Sequence, residues 1–157
     1  MKREEEAVSD LYRQPLDGWN QRRADRMAGL FDRDGLVVGF DGSQMKGAGA
    51  IEEEMRRIFA DHRPARYVAI VRGLSLVTPD AAVIHAVAGM VPPGKRALKP
   101  ENNAVQTVTA VKRDGQWRIA VYQNTPAQFH GRPQMSAALT SDLEAALQSQ
   151  AAEIFED

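Results

Sequence analysis

Apolar residues in the first twenty positions recur at helical spacing. Val8, Leu11, Tyr12, Leu16 and Trp19 fall on one face, and the acidic "REEE" ahead of them suits a helix N-terminus. Pro15 interrupts this pattern. A proline inside a helix removes one hydrogen bond and crowds the preceding turn, at about 3 kcal/mol, so a kink or two short helices are expected. "ADRMAGLF" predicts a second, short helix with Met27, Leu30 and Phe31 inward, and "DRDG" a turn. Leu36 to Phe40 predicts a strand. "GAGAIEEEMRRIFADH" predicts a third helix with Ile51, Met55, Ile58 and Phe59 on its apolar face. The period then drops from about 3.6 to 2. Tyr67 to Thr78, Ala82 to Val91, Val105 to Arg113 and Trp117 to Asn124 predict four strands, the last two joined at a tight "RDGQ" turn. "RPQMSAALTSDLEAALQSQAAEIF" predicts a closing amphipathic helix.

Helices followed by a meander of long antiparallel strands is an α+β pattern, with helices packed on one sheet face. No repeat or linker divides the chain, so residues 1–157 are expected to form one domain. The long connection "VPPGKRALKPENN", residues 91–103, is expected to be a mobile hairpin loop, with a lid role left open. Composition narrows the function classes. The chain has 157 residues, 43% hydrophobic and 26% charged, which is a globular balance. Twenty Lys and Arg oppose 21 Asp and Glu, so no field favours nucleic acid or a membrane surface. Absence of cysteine removes disulfides and thiolate chemistry. The first residues carry no apolar leader, and no apolar run is long enough to span a bilayer, so a cytoplasmic location is expected.

Candidate chemistry centres on "LVVGFDGSQMKG". Asp41 ends an apolar strand, where a carboxylate can serve as a general base. Followed by Gly42, it can equally satisfy its own turn, with Ser43 or Gln44 as the expected backbone donor. His62, His85 and His130 lack metal-ligand spacing, so no metal is expected. "GSQMKGAGA" lacks the phosphate-loop spacing and reads as helix-start punctuation. No dinucleotide fingerprint occurs, and no cofactor is expected. Arg56, Arg57, Arg63 and Arg66 read as a solvated rim.

The order of elements, with "GWNQRRADRMAGLF", "LVVGFDGSQMKG" and "KRDGQWRIAVYQNTP", resembles the nuclear-transport-factor-2-like cone fold, the superfamily of SnoaL-like cyclases and ketosteroid isomerase. "FDGSQMKG", "AGMVPPG", "NAVQT" and "QNTPAQFHGRP" are similar to its SgcJ/EcaC branch, which includes members from enediyne clusters. The resemblance implies a curved sheet wrapped around helices, a deep apolar pocket, and a homodimer through the outer sheet face. It also subtracts chemistry. The isomerase base position falls on Gly39, and its oxyanion tyrosine falls on Pro15. Asp41 lies two residues past the base position.

The cone fold further implies which strand face is inward: Ile84, Ala86, Ala88 and Met90; Gln106, Val108 and Ala110; Ile119, Val121 and Gln123. The small alanines are expected to leave a cavity, walled by Trp19, Met27, Phe31, Met55 and Phe59. Gln106 and Gln123 would orient a carbonyl or hydroxyl, or bond one another, but cannot titrate. Tyr122 and Asn124 are expected to point away. The implied function is binding of a hydrophobic, polyketide-like (enediyne-type included) biosynthetic intermediate, so as to act on it or shield it. A SnoaL-type cyclase, isomerase or hydratase, with Asp41 as base and Tyr12 or Gln106 as oxyanion partner, is the alternative. A non-catalytic association module is a third.

Overall fold

The computed structural model describes residues 2–155. Helix α1 (Lys2–Asn20) and the short α2 (Ala24–Ala28) precede strand β1 (Phe31–Val38). A short β2 (Gln44–Lys46) leads into α3 (Ala48–Asp61), and β3 (Arg66–Thr78), β4 (Ala81–Val91), β5 (Ala104–Arg113) and β6 (Gln116–Pro126) follow. Helix α4 (Pro133–Ile154) closes the described chain. The six strands form one open sheet in the order β2-β1-β6-β5-β4-β3. Only β1 and β6 pair in parallel; the other neighbours are antiparallel.

The sheet separates two apolar layers. On one face α1 lays Val8, Leu11 and Tyr12 against Ile84, Ala86, Ala88, Val108, Ala110 and Ile119. On the other, α4 lays Leu139, Leu143 and Leu147 against Val68 and Val91. The alternation is visible within β3, where Val68 joins the second layer and Ala69 the first. Glu4 ties the start of α1 to the β5–β6 hairpin, accepting from Lys112 Nζ at 2.9 Å and Trp117 Nε1 at 3.1 Å. That hairpin turns at Asp114 and Gly115, both at positive φ as the "RDGQ" sequence predicts.

Three expectations need correction. The chain stays helical through Pro15, so α1 is not two helices. Pro15 is buried, and packing of this face outweighs the lost hydrogen bond. Phe31 belongs to β1 rather than to α2, because Gly29 ends the helix. "GSQMKG" is not only punctuation: Gln44 to Lys46 fold back on β1, closed by the Gly39 N–H to Ser43 carbonyl bond at 2.8 Å. Residues 92–103 connect β4 to β5, and there Lys99 N–H donates to the Met90 carbonyl at 3.0 Å and Ala127 N–H to the Asn103 carbonyl at 2.9 Å.

Candidate functional site

A bulge in β6 decides which side chains face the interior. Thr109 pairs with Val121 and Ala110 with Ile119, so Ala120 is an extra residue on one strand. One extra residue reverses the parity of everything beyond it. Ile119 faces α1 as expected, but past the bulge Tyr122 and Asn124 turn inward, while Val121 and Gln123 turn outward. Tyr122 is 8% exposed and packs in the α1 layer, whereas Gln123 is exposed. The β1 strand is also irregular, with Asp32 to Gly35 looping out between Phe31 and Leu36. Gly35 permits this, because a Cβ there would lie 2.9 Å from the Ile119 carbonyl oxygen.

Tyr122 and Asn124 complete a chain of polar groups through the core. Tyr12 and Tyr122 both donate their hydroxyl protons to Gln106 Oε1, at 2.5 and 2.9 Å. Gln106 Nε2 donates to Asn124 Oδ1 at 3.3 Å, and Asn124 Nδ2 donates to the Tyr67 hydroxyl oxygen at 3.3 Å. Gln106 is 1% exposed and Tyr12 fully buried. Turning the two amides over would leave two buried phenol protons without an acceptor, which fixes the direction of the chain. The direction has a consequence at its end. Tyr67 accepts from Asn124, and its own proton has no acceptor among the described residues.

Tyr67 is held firmly. Asn20, at the end of α1, clamps its backbone: Tyr67 N–H donates to Asn20 Oδ1 at 2.7 Å, and Asn20 Nδ2 donates to the Tyr67 carbonyl at 3.0 Å. Trp19 meets the Tyr67 ring edge-on at 5.6 Å and the Phe59 ring at 5.5 Å, and its indole N–H donates to the Ala65 carbonyl at 2.7 Å. Burial raises the pKa of the Tyr12, Tyr67 and Tyr122 phenols above their usual value. The chain is therefore neutral and protonated across the ordinary pH range.

Tyr67, Gln106, Tyr122 and Asn124 form the polar floor of a cavity of about 740 Å³. Its walls come from α1, α2, α3 and β1, including Trp19, Met27, Phe31, Val37 and Met55. Met90 and Asn102 close one side. Of the expected pocket residues, Trp19, Met27, Phe31, Met55, Met90 and Gln106 therefore lie in the wall. Ile84, Ala86, Ala88, Val108 and Ile119 do not: α1 packs directly on them. Phe59 supports Trp19 from behind. Tyr12, on the buried face of α1, is sealed against the sheet and reaches the cavity only through Gln106. Tyr67 escapes a reading based on periodicity, which cannot tell a buried phenol in a wall from one in a packed core.

Asp41 stands at the cavity mouth, exposed. Its Oδ1 accepts the Ser43 backbone N–H at 2.9 Å. That bond, with the Ser43 hydroxyl, lowers its pKa from the ordinary aspartate value. Glu54 and Arg57 pair beside it on α3. Among the described residues, no three His, Asp or Glu side chains gather in a way that could hold a metal ion. No described helix is long and apolar enough to cross a membrane.

Similar architectures are known. A domain of unknown function with a cystatin-like fold from Nostoc punctiforme superimposes with a TM-score of 0.78 at 19% identity, over 100% of this chain and 99% of that one. A ketosteroid isomerase-like protein from Erwinia carotovora atroseptica gives 0.63 at 12% identity, over 82% and 99%. A protein from Thiobacillus denitrificans, described as a calcium/calmodulin-dependent protein kinase type II association domain, gives 0.65 at 15% identity, over 75% and 93%. Such identities establish the fold alone. No curated protein matches the sequence. The SnoaL-like domain model matches residues 3–123, which takes in α1 through Gln123 of β6, and the chain belongs to the SnoaL-like family.

Proposed function

We propose that the chain binds a hydrophobic small molecule carrying a carbonyl or hydroxyl oxygen, and that this oxygen accepts the Tyr67 proton. The observation that carries the reading is the uncommitted Tyr67 O–H on the floor of an apolar cavity. An acceptor oxygen would complete the polar chain, and leaving it out costs the phenol a partner. The remaining groups of the floor are amides and high-pKa phenols, which orient a ligand but do not relay protons near neutral pH. Positioning and shielding suit such a site better than acid–base chemistry. The sequence likeness to the SgcJ/EcaC branch makes a polyketide-like ligand the favoured class. The same reading takes the chain as a single-domain cytoplasmic homodimer. The part of the outer sheet face around His85, Thr107 and Thr109 would form the contact, beside the area covered by α4.

The test uses the indole of Trp19 in the cavity wall. An anthraquinone, as an aromatic polyketide-like ketone, should quench Trp19 fluorescence saturably. Tyr67→Phe should weaken that binding about tenfold, the loss of one good hydrogen bond. Absence of saturable quenching in the unmodified protein would sink the reading.

One observation favours a second reading, a cofactor-free SnoaL-type enzyme: Asp41 borders the cavity mouth. There Asp41 would take a proton from the ligand while Tyr67 stabilised the resulting oxyanion. Its lowered pKa makes it a weak base, which counts against that role.

A further inference from the structure

We propose that a basic cleft, formed where the α1–α2 turn, the start of β3 and the β4–β5 connection meet, is a second binding site, for a small molecule carrying a diphosphate group. The cleft measures about 310 Å³, at the lower end of the range for small-molecule sites. Arg22 comes from the first of these segments, Arg63 and Arg66 from the second, and Lys95 and Arg96 from the third. Among the described residues no acidic side chain lines it.

This gathering of charge departs from the rest of the molecule. The chain as a whole is balanced, with 20 Lys and Arg against 21 Asp and Glu. Elsewhere cations meet carboxylates: Arg56 pairs with Glu52, Arg57 with Glu54 and Asp61, Arg72 with Asp142, and Lys112 with Glu4. Arg66 donates to the Ile154 carbonyl at the end of α4, where a cation suits the helix dipole, so the fold itself accounts for Arg66. It does not account for the other four. The side chains of Arg22, Arg63 and Lys95 make no hydrogen bond or ion pair among the described residues. Arg96 has the Phe155 ring, 4.1 Å from its guanidinium, and no carboxylate. Like charges held together in a concave site repel one another, and a bound anion relieves that repulsion.

Shape and charge together select the anion. A walled cleft focuses the field of its cations on whatever enters. Guanidinium forks match phosphate oxygens two at a time, and an ammonium adds a compact point charge. A lone carboxylate would leave most of these cations unmet, whereas a diphosphate brings several charges and acceptor oxygens on one small group. Part of the frame is already set. Lys95 N–H donates to the Pro92 carbonyl at 3.1 Å, closing the turn that presents Lys95 and Arg96, and Phe155 holds the Arg96 guanidinium. Val91 and Phe155, from the apolar layer under α4, give the rest of the ligand an apolar side to lie on. The site is distinct from the main cavity. Tyr67 and Met90 pair across β3 and β4 and line that cavity, while the next pair, Arg66 and Val91, lines the cleft. Successive strand residues point to opposite faces, so the two sites take alternate faces of one ladder.

The experiment follows the full ¹⁵N-labelled chain by calorimetry and amide shifts at physiological salt, with inorganic pyrophosphate, citrate and a single-stranded DNA oligonucleotide as probes. Pyrophosphate is expected to saturate at millimolar concentration or below, to weaken as salt is added, and to shift Arg63, Gly94, Lys95 and Arg96. Citrate and the oligonucleotide are expected to bind more weakly. Arg63 and Lys95 are exposed, so Arg63→Gln and Lys95→Gln should both fold. Each should weaken pyrophosphate about threefold, the worth of one partly solvated charge contact. Lys46→Gln removes an exposed cation on β2, outside the cleft, and should leave the affinity unchanged. Glu156 and Asp157 follow Phe155 in the sequence with the opposite charge, so the double variant Glu156→Gln, Asp157→Asn is measured as well and should bind pyrophosphate at least as tightly. The proposal is overturned if nothing saturates, if citrate or the oligonucleotide binds as tightly as pyrophosphate, or if Lys46→Gln weakens binding as much as Arg63→Gln does. It is also overturned if binding occurs only in the double variant, because the cleft then serves the chain's own carboxylates.

Discussion

The interior face of the sheet behaves differently at its two ends. Around Ile84, Ala86, Ala88, Val108 and Ile119 it is filled by the first half of α1, and these residues are no more than 2% exposed. Around Tyr67, Tyr122 and Asn124 it is left open, because α3 and β1 stand off from it and enclose the cavity. Small side chains do not make the cavity. The alanines of β4 and β5 bring α1 close to the sheet, and large side chains border the empty space. A run of alanines on a strand thus signals close approach of a neighbour as readily as it signals volume.

The polar chain joins the two ends, so breaking it has the largest expected effect. Gln106→Leu keeps the volume but leaves the Tyr12 and Tyr122 protons without an acceptor and Asn124 Oδ1 without its donor. A loss of about 3 kcal/mol or more is expected, since each buried orphan costs ~1–3 kcal/mol. Urea unfolding measures it. A loss below that of an ordinary surface substitution would mean the chain is not continuous.

A pair of enlargements separates the filled end from the open one. Ala86→Leu forces three heavy atoms into the contact with α1 and should destabilise by about 1–3 kcal/mol. Val37→Leu, in the cavity wall, enters empty space and should cost well under that. Equal costs would show that the cavity is not open in solution.

Most of the fold was legible from the sequence, and the site was legible only in part, for a specific reason. Period-two alternation, with the inward face taken from the cone-fold resemblance, put Ile84, Ala86, Ala88 and Val108 on the α1 side of the sheet, though in its packed core rather than in the cavity wall. It failed in β6, where Ala120 is an added residue and nothing in "WRIAVYQN" marks a bulge. That one residue moved Val121 and Gln123 out and Tyr122 and Asn124 in. The same blindness covers β1, whose looped-out Asp32 to Gly35 reads as a turn between separate elements. Pro15 is the opposite case: of the expected kink or pair of short helices, the pair does not form. Local propensity predicts a break, but a buried helix face supplies packing that a local rule does not count.

The three phenols give the comparison a pH dependence. Burial raises their folded-state pKa, so the folded protein holds these protons where the unfolded chain, near pH 10, releases them. Their stabilisation is complete below pH 10 and is lost as pH rises above it. Stability should be flat through neutrality and fall from pH 10 upward, and Tyr12→Phe should reduce that fall. Thermal melts across pH 6 to 11 test this, and a stability change centred near neutral pH would point to a different titrating group.

The smallest effect is expected at Asp41, where the two ends meet solvent. It is exposed, its oxygen accepts the Ser43 N–H at 2.9 Å, and Gly42 beside it is at φ 92°. These are the marks of an aspartate that organises its own turn. An asparagine carbonyl accepts the same bond, so Asp41→Asn should leave both the melting temperature and anthraquinone binding unchanged within replicate scatter. The lowered pKa adds a sign: the charged form is favoured in the folded state, so any contribution of Asp41 is present above the ordinary aspartate value and fades as pH falls below it. The substitution therefore matters, if at all, only above that value, and acid conditions should erase even that small difference. Tyr67→Phe, 26 residues away on β3, is the contrast, with binding weakened about tenfold and the turn untouched. If Asp41→Asn instead abolishes turnover of a ligand while anthraquinone still binds, the carboxylate is the general base and the SnoaL-type enzyme reading replaces the binding one.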